Sequence, residues 1–265
     1  MDDLQFRQLL DYFGYSWDGY RRVRKGVKKR ISRHMQQLGC RSVGEYLHLL
    51  ERHEEVKKHC ECFMTVSVSR FFRDRRLWKI IEDNIVPEIL SEKKEKVKFW
   101  GAGCACGEEV YSIKILWEIL RSRFDDMPDL EIWATDIHPV YLKKAQEGIY
   151  SVSSLKEVEQ NLRENYFRFQ EDQKKFRIRP SLQKGIFWKT HNMLNDFDED
   201  NFEIIFVRNN LLTYYNDGIK QTAFKKVIKS LVKGGFLIIG SHEKLPFESI
   251  NLRPFHDQPY IFRKA

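Results

Sequence analysis

From residue 97 to residue 239, short apolar runs alternate with segments of helical periodicity. The runs fall at 97–100, 130–135, 186–189, 203–207 and 235–239, and helical patterns cover 109–124, 139–146 and 217–231. A segment apolar at consecutive positions is buried on both faces, and helices between such segments supply the cover. Together they specify parallel strands in a layered α/β sheet. A doubly wound, mostly parallel sheet is therefore expected, with residues 260–263 as an edge strand. One stretch, 166–184, breaks the alternation. Phe167-Arg168-Phe169 and Phe176-Arg177-Ile178-Arg179 alternate apolar and basic residues, the period of a half-exposed strand, around a turn at Glu171-Asp172-Gln173. A small antiparallel β insertion is expected over 164–185.

The first 75 residues lack strand patterns. Leu4, Leu9, Leu10 and Phe13 open a helix that Gly14 stops. Val23, Val27, Ile31 and Met35 put a narrow apolar stripe on a second helix over 20–38. Ser42 and Glu45 form a capping-box pattern before a third. An amphipathic helix follows over 78–90. The expected division is a helical domain over 1–75 and an α/β domain over 76–265.

Charge is uneven. The chain carries +8 overall, and Arg21, Arg22, Arg24, Lys25, Lys28, Lys29, Arg30 and Arg33 fall in a stretch without acids from Gly19 to Gly44. Such a block favours an acidic partner: nucleic acid, anionic lipid or an acidic protein surface. The five cysteines (Cys40, Cys60, Cys62, Cys104, Cys106) are odd in number and give no disulfide framework. Their Cys-x-Cys spacings are tighter than zinc sites use, so no metal is expected. No apolar run approaches the roughly 18 residues of a membrane span. Met1-Asp2-Asp3-Leu4 lacks a basic-then-apolar leader, which points to the cytoplasm.

The first predicted strand runs into Gly101-Ala102-Gly103-Cys104-Ala105-Cys106-Gly107 and then Glu108-Glu109. Glycines after a first strand let the backbone approach a ligand closely. Two acids at the following helix N-terminus occupy the field that a phosphate would need, and no Walker-type lysine is present. A cationic ligand fits better, and S-adenosylmethionine carries both a sulfonium and an ammonium. The same glutamates also suit simple first-turn dipole partners. Asp136, ending the second strand, is placed to accept ribose hydroxyls, although an N-cap role is open to it too.

Five ordered segments resemble the chemotaxis-receptor glutamate methyltransferases of the CheR type. They are Thr65 to Asp74 with its Phe71-Phe72-Arg73, Gly107-Glu108-Glu109-Val110-Tyr111-Ser112, Ala134-Thr135-Asp136-Ile137, Phe206-Val207-Arg208-Asn209, and Gly240-Ser241-His242-Glu243. The resemblance implies a class I methyltransferase-like sheet, S-adenosylmethionine as donor with S-adenosylhomocysteine as product, and glutamate methyl-ester formation on receptor helices. It implies that Arg73 binds the cofactor carboxylate or sits beside the reactive methyl, with Ser67 and Ser69 in the hydrogen-bonding positions upstream. Gly101, Ala102 and Gly103 would form the turn. Glu109 would take the amino end, Asp136 and Ile137 the ribose side, Asn192 and Met193 the adenine edge, and Arg208 and Asn209 the strand-end wall. Thr213 stands where the family has a tyrosine near the methyl; Tyr214 or Tyr215 would replace it if the backbone shifts by a residue. On this reading Arg24, Lys28 and Arg33 attract Glu-rich receptor helices, with neither nucleic acid nor membrane insertion involved, and the protein acts as a monomer. The alternatives are a nucleic-acid or other protein methyltransferase, and a cofactor-binding regulatory module without catalysis.

Overall fold

The computed structural model describes residues 1–66, 69–256 and 258–265. Five helices open the chain: α1 (Asp3–Phe13), α2 (Trp17–Tyr20), α3 (Arg24–Gln37), α4 (Val43–Arg52) and α5 (Glu54–Met64). Gly14 ends α1 in the left-handed conformation, at φ 67°, where a residue without a Cβ is unstrained. The second expected helix starts at Arg24 rather than Tyr20, because α2 ends in a turn whose Val23 N–H bonds to Tyr20 O. Ser42 caps α4, its hydroxyl accepting from Glu45 N–H. The Glu45 carboxylate reaches Arg41 N–H instead of closing a capping box on Ser42. Phe6, Leu9, Tyr20, Ile31, Tyr46 and Met64 are the centre of this bundle.

The expected helix over 78–90 is three pieces: α6 (Arg75–Ile80), a π-helical turn (Ile81–Ile85) and α7 (Val86–Ser91). Pro87 explains the break, since it offers no N–H and its ring crowds the carbonyl one turn back. The sheet elements follow: β1 (Lys96–Ala102), α8 (Glu108–Arg121), β2 (Asp129–Asp136), α9 (Pro139–Glu147), β3 (Ile149–Ser151), α10 (Gln160–Tyr166), β4 (Phe167–Gln170), β5 (Lys175–Ile178), β6 (Ile186–Thr190), β7 (Phe202–Val207), α11 (Leu211–Tyr214), α12 (Asp217–Lys229), β8 (Leu231–Ile239), β9 (Leu252–Phe255) and β10 (Gln258–Lys264).

Seven strands form one sheet in the order β6-β2-β1-β7-β8-β10-β9. The first five are parallel, and β10 runs antiparallel to both β8 and β9. The strand expected at the edge, 260–263, is thus internal. β9 lies outside it, hidden in the sequence by Pro254, a residue that edge strands tolerate. Helices cover both faces. Phe99, Ile132, Phe206 and Ile238 face α6 to α8, while Trp100, Ile205, Leu237 and Ile239 face α11 and α12. Neighbours Phe99 and Trp100 serve opposite faces because strand side chains alternate.

The insertion pairs β4 with β5 antiparallel, as the alternation predicts, and gains a third strand, β3, on the other edge of β5. Phe167, Ile178 and Leu182 pack against Tyr111 and Ile115 of α8. In the main sheet β1 pairs with β2 on one side and β7 on the other. The chain therefore reverses its winding at β1, and a crevice opens at the strand C-terminal ends there.

Candidate functional site

The loop after β1 is held from three directions. Gly103 and Cys104 N–H both donate to Thr135 O at 2.8 Å. Asn210 Nδ2 donates to Ala102 O at 2.7 Å. Ala105 N–H donates to Asp136 Oδ2, and His138 N–H to Asp136 Oδ1, each at 2.9 Å. Gly103 sits at φ 72°, and a Cβ there would lie 2.2 Å from Asn210 Nδ2. Only glycine fits that position, so the bare backbone edge faces the crevice.

The crevice holds a pocket that is partly open to solvent. Ser69, Arg73, Gly103, Glu109, Asp136, Ile137, Asn192, Met193, Arg208, Asn209, Tyr214 and Tyr215 all line it. Gly101 and Ala102 stay within β1 behind the wall. Ser67 lies outside the described residues. The sequence reading missed Tyr15, Tyr20, Glu61, His138, His191 and Asn210, which also line the pocket. The first three come from the helical bundle, and nothing local in the sequence marks a contact across so many residues. The imidazoles at 138 and 191 were readable only as neighbours of Asp136 and Asn192. His191 Nε2 is buried without a hydrogen-bond partner among the described residues.

Charge in the pocket is concentrated on Arg208. Its side chain is 1% exposed, and its guanidinium pairs with both Asp74 and Glu109. Burial pushes the Glu109 carboxyl up, and Arg208 and Arg73 pull it back down. Burial likewise raises Asp136, while the N–H groups of His138 and Ala105 oppose it. Next to Glu109, Glu108 is buried with Oε2 lacking a partner among the described residues, and desolvation pushes it up to about 7.

The tyrosine wall is built by the N-terminal helices. Ser16 N–H donates to Tyr214 O at 2.7 Å, and Asn216 N–H to Gly14 O at 2.9 Å. Tyr20 packs on Tyr214 with ring centroids 5.0 Å apart, and Tyr15 on Tyr215 at 4.9 Å. Thr213 points elsewhere: its hydroxyl donates to Glu243 Oε1, while Glu243 Oε2 accepts from Asn209 and Gly240 N–H. Glu243 is thus the tie that fixes Asn209, at φ 56°, and the start of α11. Burial and Glu243 push the Tyr214 phenol up, with Arg73 opposing, so Tyr214 remains an O–H donor at neutral pH.

The basic helix α3 stands apart from the pocket floor. Lys28 Nζ pairs with Asp3 at 2.8 Å, and Arg24 Nε lies 3.6 Å from the same carboxylate. Arg33 lines a shallow groove with Lys25, Lys28 and Lys29. Arg30 is structural, its guanidinium donating to Phe63 O and Thr65 O at the end of α5.

The residues present suit a cationic adenosyl ligand. Glu61, Glu109 and Asp136 face the pocket against Arg73 and Arg208, and the Asp136 carboxylate has acceptor capacity beyond the backbone bonds it accepts. Among the described residues no His, Cys, Asp and Glu group has the geometry of a metal site, and no helix is long and apolar enough to cross a membrane.

Residues 67–261 match the family model described as CheR methyltransferase, SAM binding domain. The chain is 31% identical to the chemotaxis protein methyltransferase of Listeria innocua over 83% of its length and 81% of that protein. The Listeria monocytogenes counterpart gives the same identity and coverage. That of Borreliella burgdorferi is 26% identical over 83% of this chain and 80% of its own. Glu61, Glu109 and Asp136 in one pocket suit a cationic adenosyl donor, and with the family match over residues 67–261 and the 31% identity to the Listeria protein, the chain belongs to the CheR methyltransferase family and is an S-adenosylmethionine-dependent methyltransferase.

Proposed function

We propose that the protein forms methyl esters on glutamate side chains of chemotaxis-receptor cytoplasmic helices, acting as a cytoplasmic monomer. The observation that carries this reading is that Arg73 and Tyr214 line the same pocket as Glu109 and Asp136. A carboxylate acceptor and a methyl donor can therefore meet in one cavity. The bound donor supplies an electrophilic methyl on a sulfonium with a neutral leaving group. A glutamate, with an ordinary pKa of about 4.3, arrives already ionised, so no strong general base is needed. The protein's task is placement. The Arg73 guanidinium orients one carboxylate oxygen, and the Tyr214 phenol donates a second hydrogen bond. The aromatic wall of Tyr15, Tyr20 and Tyr215 keeps water out. Glu109 takes the donor's ammonium, Asp136 its ribose hydroxyls, and Asn192 and Met193 the adenine edge.

In this reading residues 1–75 form the receptor-facing domain, residues 76–265 hold the donor, and the β-subdomain over 164–185 is an accessory surface. The names of the Listeria and Borreliella relatives support the chemotaxis setting. The α3 cations support an acidic helical substrate through long-range attraction. The test is transfer of radiolabelled methyl groups to receptor-containing membranes. The expected product releases its label as methanol in base and disappears in Arg73→Ala. Base-stable label, label on nucleic acid, or donor binding without transfer would each overturn the assignment.

A further inference from the structure

Arg73 is flanked by two residues in the left-handed region, Phe72 at φ 51° and Asp74 at φ 64°. Neither is glycine, so each holds a conformation that its Cβ disfavours. Such a backbone persists only where its surroundings hold it. Three ties do so, one for each residue. Phe72 N–H donates to Ser112 Oγ at 2.9 Å, and that fully buried hydroxyl donates in turn to Glu108 O at 2.7 Å. Trp78 Nε1 donates to Arg73 O at 2.8 Å. The Asp74 carboxylate pairs with Arg208, whose guanidinium also pairs with Glu109.

Two of these ties end in the donor cradle. Ser112 and Glu108 belong to α8, and Arg208 follows β7. The segment bearing Arg73 is therefore built on the elements that surround the donor. We infer that Asp74, Trp78 and Ser112 are positioning residues for Arg73, and that the chain Glu109–Arg208–Asp74 transmits donor occupancy to the Arg73 loop. The inference rests on the reading that Glu109 receives the donor's ammonium. A cation at Glu109 competes with Arg208 for that carboxylate. Arg208 has Asp74 as its other partner, so its attraction shifts toward Asp74 and firms the loop on which Arg73 sits. The methyl-accepting arrangement is then completed only when the donor is in place. By linkage, stabilising the loop strengthens donor binding by the same factor.

The test needs no methyl transfer. Hydrogen exchange of the peptide covering residues 69–78 is followed with and without saturating S-adenosylhomocysteine, whose amino group carries the same charge. Calorimetry confirms saturation in each protein. The unaltered chain should show exchange slowed about tenfold by the ligand, within the usual range of site-to-site coupling. Asp74→Asn should bind the ligand and lose the response, and Asp74→Glu should restore it. Ser112→Ala should exchange faster at this peptide in both states, with the rest of α8 unchanged. An unaltered chain whose loop ignores the ligand would overturn the inference, as would an Asp74→Asn protein that keeps the full response. Because the readout is protection and not esterification, failure of the glutamate-methylation reading leaves this result separately decidable.

Discussion

Arg208 holds two carboxylates and Lys28 one, and the two cations sit in opposite surroundings. Arg208 is 1% exposed at its side chain and shared between Asp74 and Glu109. Lys28 is 20% exposed and Asp3 51% exposed. Buried charges have given up water and depend on one another, so removing one partner strands the rest. Exposed pairs are screened by solvent and salt and contribute little to stability. Charge inside the crevice is part of the architecture, whereas charge on α3 lies on an open, solvent-facing groove.

The strongest attack on this contrast is Arg208→Met. It removes the cation that Asp74 and Glu109 share, and because Asp74 is 36% exposed and Arg73 still acts on Glu109, the expected loss is at the low end for a broken buried pair, about 3 kcal/mol in urea titrations. A midpoint like that of the unaltered chain would erase the distinction. Next is Glu108→Gln. The folded protein binds the Glu108 proton more tightly than the unfolded chain does, near 7 against an ordinary 4.5. Its contribution is therefore fully present below about pH 4.5, is lost as pH rises to about 7, and is constant beyond. At 1.36 kcal/mol per pH unit that loss is about 3 kcal/mol. Glu108→Gln should flatten this part of the stability–pH curve and be the more stable protein at pH 8. Identical curves would place the proton elsewhere.

A smaller effect is expected from Gly19→Ala, whose Cβ would fall 2.1 Å from Thr213 O. Overpacking of this kind costs about 1–3 kcal/mol. Because the displaced backbone carries Tyr214, methyl transfer should suffer more than ligand affinity measured by calorimetry. The least effect on stability belongs to the triple reversal Arg24→Glu, Lys28→Glu, Arg33→Glu. Melting and S-adenosylhomocysteine affinity should stay unchanged, while kcat/KM for receptor falls about tenfold at low salt and approaches the unaltered value at high salt. Equal receptor kinetics at low salt would remove α3 from recognition.

The part of the pocket formed by Gly103, Glu109 and Asp136 was readable in the sequence because its pieces are contiguous. Gly103, Glu109 and Asp136 each follow or end a strand that its own apolar run announces. The tyrosine wall was not, because it is assembled from distant segments. Tyr15 meets Tyr215 and Tyr20 meets Tyr214 through packing alone. Thr213, which the resemblance sets at the family's tyrosine, bonds to Glu243 away from the pocket, while its neighbours Tyr214 and Tyr215 line it. Short elements escaped for a related reason: β3 has three residues and α11 four, too few for a period to register. The π turn before Pro87 is a local adjustment that an amphipathic pattern averages away.

The family match begins at residue 67, whereas Tyr15 and Tyr20 belong to the segment before it. A boundary drawn at the start of the match would cut through the wall of the pocket itself. A fragment lacking the first 66 residues would bare Tyr214 and Tyr215 to bulk water. On the proposed function, grafting that leading segment from one relative onto the remainder of another exchanges one wall of the pocket, and acceptor preference in the hybrid should travel with the graft.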